Sequence, residues 1–374
     1  MQFTDFVNAI RDEPDDDAPR LICADWLEER GDSPRAEFIR AQVERANLSD
    51  DDPRQSELLA LELRLLKKHG AQWTGGHFVF KKCRFRRGFI EYVHLHLQQF
   101  LHHRREMFRL APVRDVSLTG WSRAKDHLVQ LVANCKELRH IETLRIHHQG
   151  RNKDPRSNLV TLMESPHWDR LRVFHCPCLK LTTDTRRRFE ALPVLRQLEE
   201  FDLPELDRGP WSEDYSRQLD DPGEWFSDGG AKHMKQWANL RRFTLSEDAS
   251  WKELDVLAAA PFWNRLVSLP VYFDSGTEPD DVARMSELLP ESLRELTLCW
   301  DDGCPGELLD VLFTRLAELP LEKLLVNACL ASADSLAKLF APSSRCKLNH
   351  LGLVWSVTED HARVIAESPK ASRL

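Results

Sequence analysis

Between Val113 and Leu353 one spacing of apolar positions, apolar-x-x-apolar-x-apolar, returns nine times. The copies start at Val113, Ile141, Leu171, Leu198, Leu240, Leu266, Leu293, Leu321 and Leu348, separated by 28, 30, 27, 42, 26, 27, 28 and 27 residues. A weaker copy, Ile90 to Leu95, begins 23 residues earlier and can be a first strand. Alternation within the last three positions is a strand pattern, so positions 1, 4 and 6 are expected inside and positions 2, 3, 5 and 7 outside. The remainder of each copy reads as a helix: Asp126 to Leu138, Asn158 to Glu164, Thr183 to Leu192, Trp251 to Ala260, Asp280 to Leu289, Pro305 to Ala317, Ala333 to Phe340 and Glu359 to Glu367.

A strand and a helix in about 27 residues resembles the leucine-rich repeat, in its ribonuclease-inhibitor-like form. The turn after the strand departs from that pattern, carrying Asp248, Asp274, Asp301 or Cys329 in four copies. The resemblance implies an α/β fold: a solenoid with a curved parallel sheet inside and helices outside, each repeat packing on its neighbours. Such a surface implies a scaffold that binds a protein or peptide on its concave face, with no catalysis and no cofactor. The exposed columns are then Tyr92, Asp115, Thr143, Val173, Glu200, Arg242, Ser268, Glu295, Lys323 and His350 at position 3, and His94, Ser117, Arg145, His175, Asp202, Thr244, Pro270, Thr297, Leu325 and Gly352 at position 5. Aromatic and charged members are the natural anchors, which selects Tyr92, Arg145, His175, Arg242, Tyr272, Glu295 and Lys323.

Residues 1–70 follow a different pattern, four short helices, and form an all-helical N-terminal cap. The first runs from about Asp5 to Arg11; the second has Asp17 as cap, Pro19 in its first turn and Gly31 as stop, with Ile22, Cys23, Trp26 and Leu27 on its apolar side. Ser33-Pro34 opens a third, and Asp52-Pro53 a fourth with a box-like cap, ending at His69-Gly70. These helices are expected to cover the open apolar edge of the first repeats. Asp25, Asp32, Arg35, Glu37 and Arg40 are expected to form an ion-pair cluster there. The run from Asp15 to Asp32, with Pro34-Arg35-Ala36-Glu37-Phe38-Ile39-Arg40, resembles the bacterial repeat-companion domain over about residues 3 to 50. That resemblance implies an intracellular bacterial protein and assigns no activity to any residue.

Charge divides the chain further. Residues 1–70 carry 10 Lys or Arg against 17 Asp or Glu; residues 71–110 carry 8 against 2 and form a basic junction with the first, capping strand, ahead of repeats over 111–374. Lys81, Lys82, Arg84, Arg86, Arg87, Arg104, Arg105 and Arg109 can serve as a solvated face, a dock for the acidic helices, or a nucleic-acid surface with Phe78, Phe80, Phe85 and Phe89 as stacking platforms. The alternation suits a strand that buries its aromatics, and the net charge of −8 argues against nucleic acid as main partner.

Two regions stand apart as candidate chemistry. His94, His96, His147, His148, His175, Cys176 and Cys178 lie on early strands or their exits and are the alternative, metal-binding or catalytic site. The 42-residue spacing leaves an insertion near 205–236 bearing Trp211, Tyr215, Trp225 and Phe226, a candidate binding loop. Nine cysteines without framework spacing, no secretory pattern at Met1-Gln-Phe-Thr and no apolar run of membrane length place the expected protein in the cytoplasm, with no membrane partner.

Overall fold

A computed structural model describes residues 2–49, 52–121, 125–147, 156–176, 188–189, 191–202, 237–244, 254–273, 277–300, 306–327, 332–354 and 358–373. The insertion near 205–236, with Trp211, Tyr215 and Trp225, lies outside them, as do His148, Cys178 and most of the helix expected over Thr183 to Leu192. The chain forms two compact units, 1–172 and 173–374. The boundaries suggested by the sequence at 70 and 110 fall inside the first.

The first unit opens with helices α1 (Phe3–Asp12), α2 (Ala18–Glu28), α3 (Ser33–Asn47) and α4 (Arg54–Trp73). Strands β1 (Cys83–Arg86) and β2 (Phe89–His96), helix α5 (Leu97–Leu110), β3 (Asp115–Thr119), α6 (Asp126–Ala133), β4 (Thr143–Ile146) and α7 (Arg156–Met163) follow. β1 pairs antiparallel with β2, while β2, β3 and β4 run parallel in that order. The hairpin turns through Arg87 at φ 46° and Gly88 at φ 88°. Gly88 is irreplaceable there: a Cβ would lie 2.8 Å from the backbone Cα of Ile39, so strand and helix α3 meet at a point only hydrogen can occupy.

The helices do cover the sheet's first edge. Phe6 and Ile10 of α1, Cys23, Ala24 and Leu27 of α2, and Ala36, Ile39 and Val43 of α3 close over Phe89 of β2 as one apolar cluster. Several local expectations need correction. Asp17 makes no capping bond; the Ala18 N–H donates instead to Asp16 Oδ1 at 2.9 Å. Ile22 is 55% exposed, so the apolar side of α2 is Cys23, Ala24 and Leu27, with Trp26 packed against it as expected. α4 runs through Gly70 to Trp73, with Pro53 as its cap residue and no side-chain box. Gly31 does stop the second helix, at φ 85°, and Asp32 caps the third by accepting from the Arg35 N–H at 3.2 Å.

Seven strands make the second unit's sheet: β5 (Val173–His175), β6 (Glu200–Asp202), β7 (Arg242–Thr244), β8 (Ser268–Phe273), β9 (Glu295–Trp300), β10 (Lys323–Asn327) and β11 (His350–Val354), parallel throughout. Helices α8 (Leu254–Leu257), α9 (Pro279–Leu288), α10 (Gly306–Leu316), α11 (Ala333–Phe340) and α12 (Glu359–Glu367) alternate with the later strands. Register locks each repeat on the last, position for position: Glu295 sits beside Ser268 and Lys323, Leu296 beside Leu269 and Leu324, Thr297 beside Pro270 and Leu325. The inward triads Leu266, Leu269 and Val271, Leu293, Leu296 and Leu298, and Leu321, Leu324 and Val326 are all buried, as are their counterparts in the first unit. Burying each such side chain stabilises the fold by about 1.5–3 kcal/mol, enough for repetition to dictate the fold without any special residue.

Polar braces reinforce the stacking. Asn239 donates to the Arg196 carbonyl at 2.7 Å, Ser292 to Leu266 at 2.6 Å and Ser344 to Ala317 at 3.1 Å, each one repeat back. Among the described residues, no helix is long and apolar enough to cross a membrane.

Candidate functional site

The outward face of β2–β4 holds the histidine-rich candidate. His94 and Ser117 are register partners, and His147 directly follows β4. Ser117 Oγ lies 2.9 Å from His94 Nδ1 and 2.7 Å from His147 Nε2, with the two rings 5.5 Å apart. One hydroxyl carries one proton, so when it donates to one imidazole and accepts from the other, the Nδ1 contact on one ring and the Nε2 contact on the other give both rings the same tautomer. Burial, then Lys82 and His147, hold the His94 pKa below the usual histidine value, so His94 is neutral at neutral pH. Ser117 is fully buried beneath these rings, although a position-5 residue was expected to face out.

That geometry ties three strands together, and it lacks the parts of a nucleophilic centre. Ser117 is not accessible to a substrate, and no carboxylate among the described residues bonds either ring to orient it. His96 is engaged elsewhere: its Nδ1 accepts from the Gln98 N–H at 3.3 Å as the cap of α5, and its ring covers Gly120. His175 belongs to the second unit and lies 3.2 Å from Glu200. Among the described residues no three His, Cys, Asp or Glu side chains are grouped to hold a metal ion.

The remaining first-unit anchors are held by neighbours. Arg145 pairs with Asp115, and Arg84 stacks over the Tyr92 ring at 4.8 Å. In the second unit Arg242 reaches over Ser268 to grip Glu295 with two bonds, Nη1 to Oε2 at 2.8 Å and Nη2 to Oε1 at 2.7 Å. This fork raises the Arg242 pKa, chiefly through the Glu295 hydrogen bonds. Lys323 stands next to Glu295 in register. Tyr272 lies in β8 beside Cys299, its side chain outside the described residues.

The basic junction is spent largely on the protein itself. Arg87 donates to the Asp15 carbonyl at 3.1 Å and lies 3.5 Å from Asp17; Arg104 lies 3.5 Å from Glu137. Phe80 and Phe89 are buried and Phe85 packs edge-on to Phe38, so these three aromatics pack inward; the Phe78 side chain lies outside the described residues. The expected cluster around Arg35 is also different. Arg40 pairs with Asp25 and Glu28 at 2.6 and 2.7 Å, leaving Glu37 and Asp32 outside. Arg35 is buried among Trp73, Phe85, Phe38 and Phe89, with its carbon 4.7–5.9 Å from their centroids, and donates to the Gly88 carbonyl at 2.7 Å. Burial lowers its pKa to about 10, which leaves it a cation at neutral pH.

Sequence reading missed the second position of each repeat. In the first unit Glu91, Arg114 and Glu142 form a ladder through backbone bonds, Arg114 N to Glu91 O and Glu142 N to Arg114 O. Their side chains pair along it: Arg114 Nε to Glu91 Oε2 at 2.8 Å, Arg114 Nη1 to Glu142 at 3.1 Å and to Asp15 at 3.2 Å. Arg20 of α2 adds a 2.6 Å bond to Glu91 with its own side chain wholly buried. The alternating signs at position 2 were the available signal.

These elements define an α/β protein. No family model and no curated protein matches the chain. Among solved structures, tryptophan synthase of Mycobacterium tuberculosis aligns over 74% of this chain and 98% of that one, at 12% identity and a TM-score of 0.22. A likeness that slight carries no argument.

Proposed function

We propose that this is a leucine-rich repeat scaffold of the cytoplasm, its helical N-terminus of the bacterial repeat-companion kind, and that it binds a protein or peptide on the outward face of its strands. The observation that carries this reading is the Arg242–Glu295 fork laid across Ser268 beside Lys323. Arg242 is 44% exposed, so this is a charged, rigid and solvent-facing patch in the middle of a regular sheet. Exposed pairs of this kind contribute only about 0–1 kcal/mol to stability, so the fold has little need of it. A preorganised polar patch suits recognition, because little side-chain freedom is lost when a partner docks.

The test is partner capture followed by reconstitution with the purified partner. Arg242→Glu with Lys323→Glu should weaken binding at least roughly tenfold, the loss of about 1.4 kcal/mol or more that a reversed hot-spot charge brings. Asp334→Lys, on α11, should leave it unchanged. The opposite ranking would move the binding surface to the helices and end the proposal.

A further inference from the structure

The second unit has a position-2 ladder of its own, with a different charge pattern. Backbone bonds link Arg241 N to Glu199 O, Val267 N to Arg241 O, Arg294 N to Val267 O and Glu322 N to Arg294 O. Two arginines are thus separated by a single valine, where the first unit sets an arginine between two glutamates. Ladder neighbours are spaced about 4.8 Å, which puts the Arg241 and Arg294 backbones roughly 10 Å apart. Between them opens a concavity of about 470 Å³, which Arg265 also lines and in which Glu199 is the one carboxylate among the described residues.

Neither Arg241 nor Arg265 has an acidic partner among the described residues, and Arg294 has one, Glu322. Arg241 has no ion pair or side-chain hydrogen bond among the described residues. Arg265 donates one bond, to the Ala238 carbonyl at 3.2 Å, which fixes its head and leaves its other donors open. Arg294 bonds the Ser292 and Leu293 carbonyls through Nη1 and lies 3.7 Å from Glu322 through Nε. Three cations against two carboxylates, Glu199 in the concavity and Glu322 beside Arg294, leave a local positive site in a protein of net charge −8.

From this arrangement we propose that the edge of the second unit from which its strands start is a binding site for a small molecule bearing two or more phosphoryl groups. Guanidinium forks match phosphate oxygens bidentately, and two forks on a ladder with a one-residue gap suit two phosphoryl groups better than a single carboxylate. Val267 supplies a floor without competing polar atoms, and Ser292 is committed to the Leu266 carbonyl at 2.6 Å. The site uses other residues than the strand face proposed for a protein partner, so either can fail without the other.

Titration calorimetry of the whole chain with inorganic tripolyphosphate tests this, at low and at physiological ionic strength. The expected result is saturable one-to-one binding that weakens with salt, falls roughly tenfold in Arg241→Ala and in Arg265→Ala, and tightens in Glu199→Gln. Lys136→Ala, an exposed cation of the first unit, should bind as wild type. Arg241 and Arg265 are exposed, so these variants should fold; a thermal melt checks it. Absence of saturable binding, or equal losses in Arg241→Ala and Lys136→Ala, would overturn the proposal. A glutamate-rich peptide that bound more tightly than tripolyphosphate would overturn the assignment to phosphate.

Discussion

Replacing Glu91 by glutamine should loosen the N-terminal helices on the sheet while leaving the composition of the apolar cluster between them unchanged. Glu91 is buried and accepts from two arginines, Arg20 Nη2 at 2.6 Å and Arg114 Nε at 2.8 Å, whose side chains are 0% and 9% exposed. The substitution keeps the shape and removes the charge, so two charge-assisted bonds worth about 1.5–3 kcal/mol each are weakened together. Arg114 retains Glu142 at 3.1 Å and Asp15 at 3.2 Å, whereas Arg20 retains only the Asp16 carbonyl, at 2.8 Å. The uncompensated burden therefore falls on Arg20, and a loss of roughly 3–4 kcal/mol follows, in the range for one partner removed from a buried pair. Hydrogen exchange resolves where it is lost: amides of α1 and α2 should exchange faster by a factor of 100 or more, about 2.7 kcal/mol, while those of β8–β10 stay unchanged. Adding Arg20→Met to Glu91→Gln should restore part of the protection. A loss under about 1 kcal/mol, or faster exchange in both units alike, would refute the claim that this network holds the helices in place.

Gly88→Ala should cost roughly 2 kcal/mol or more in urea unfolding, since it adds a Cβ at φ 88° against the Ile39 backbone; a neutral result would mean that α3 and the hairpin are not in contact. His140 packs against Phe108 with the rings tilted by 45°, and burial followed by Arg11, Arg139 and Arg170 lowers its pKa to about 4. The unfolded chain binds its proton near pH 6.5 and the folded one does not, so its contribution is complete above that pH and is lost as pH falls toward 4. His140→Gln should flatten the pH dependence of first-unit stability between pH 4 and 6.5, and an unchanged slope would count against the burial of this ring.

What the sequence made legible was periodic. Leu266, Leu293 and Leu321 recur because each repeat must bury the same positions against the last, and the strands fall where that spacing put them. The helices after β9 and β10 were equally plain. Helix α5 was not, because Leu97–Leu110 carries basic residues that read as a charged junction, and its buried positions, Leu97, Phe100, Met107 and Phe108, alternate with arginines and histidines. Site residues were less readable for a simple reason: outwardness in a repeat is a statement about backbone direction, and long side chains then choose their own partners. Ser117 faces outward by register and is buried by two histidine rings above it; Arg35 lies among acids in sequence and among aromatics in space.

The position-2 ladder shows how one structural slot is put to two uses. In the first unit the slot reads Glu91, Arg114, Glu142 and Arg172, and where it is buried, at Glu91 beside Arg20 of α2 and at Arg114, each charge must be answered by a neighbour or the burial is ruinous. In the second unit the same slot reads Glu199, Arg241, Val267, Arg294, Glu322, and its residues meet solvent, so nothing in folding requires the cations to be matched. Arg241 and Arg265, exposed and without an acidic partner among the described residues, contribute little to stability and line an open concavity with Arg294. Mutation should separate the two uses: changes at Glu91 or Arg114 act on unfolding, and changes at Arg241 or Arg265 act on phosphate affinity at constant stability. A destabilisation above about 1 kcal/mol from Arg241→Ala would show that the second ladder, too, is spent on holding the fold.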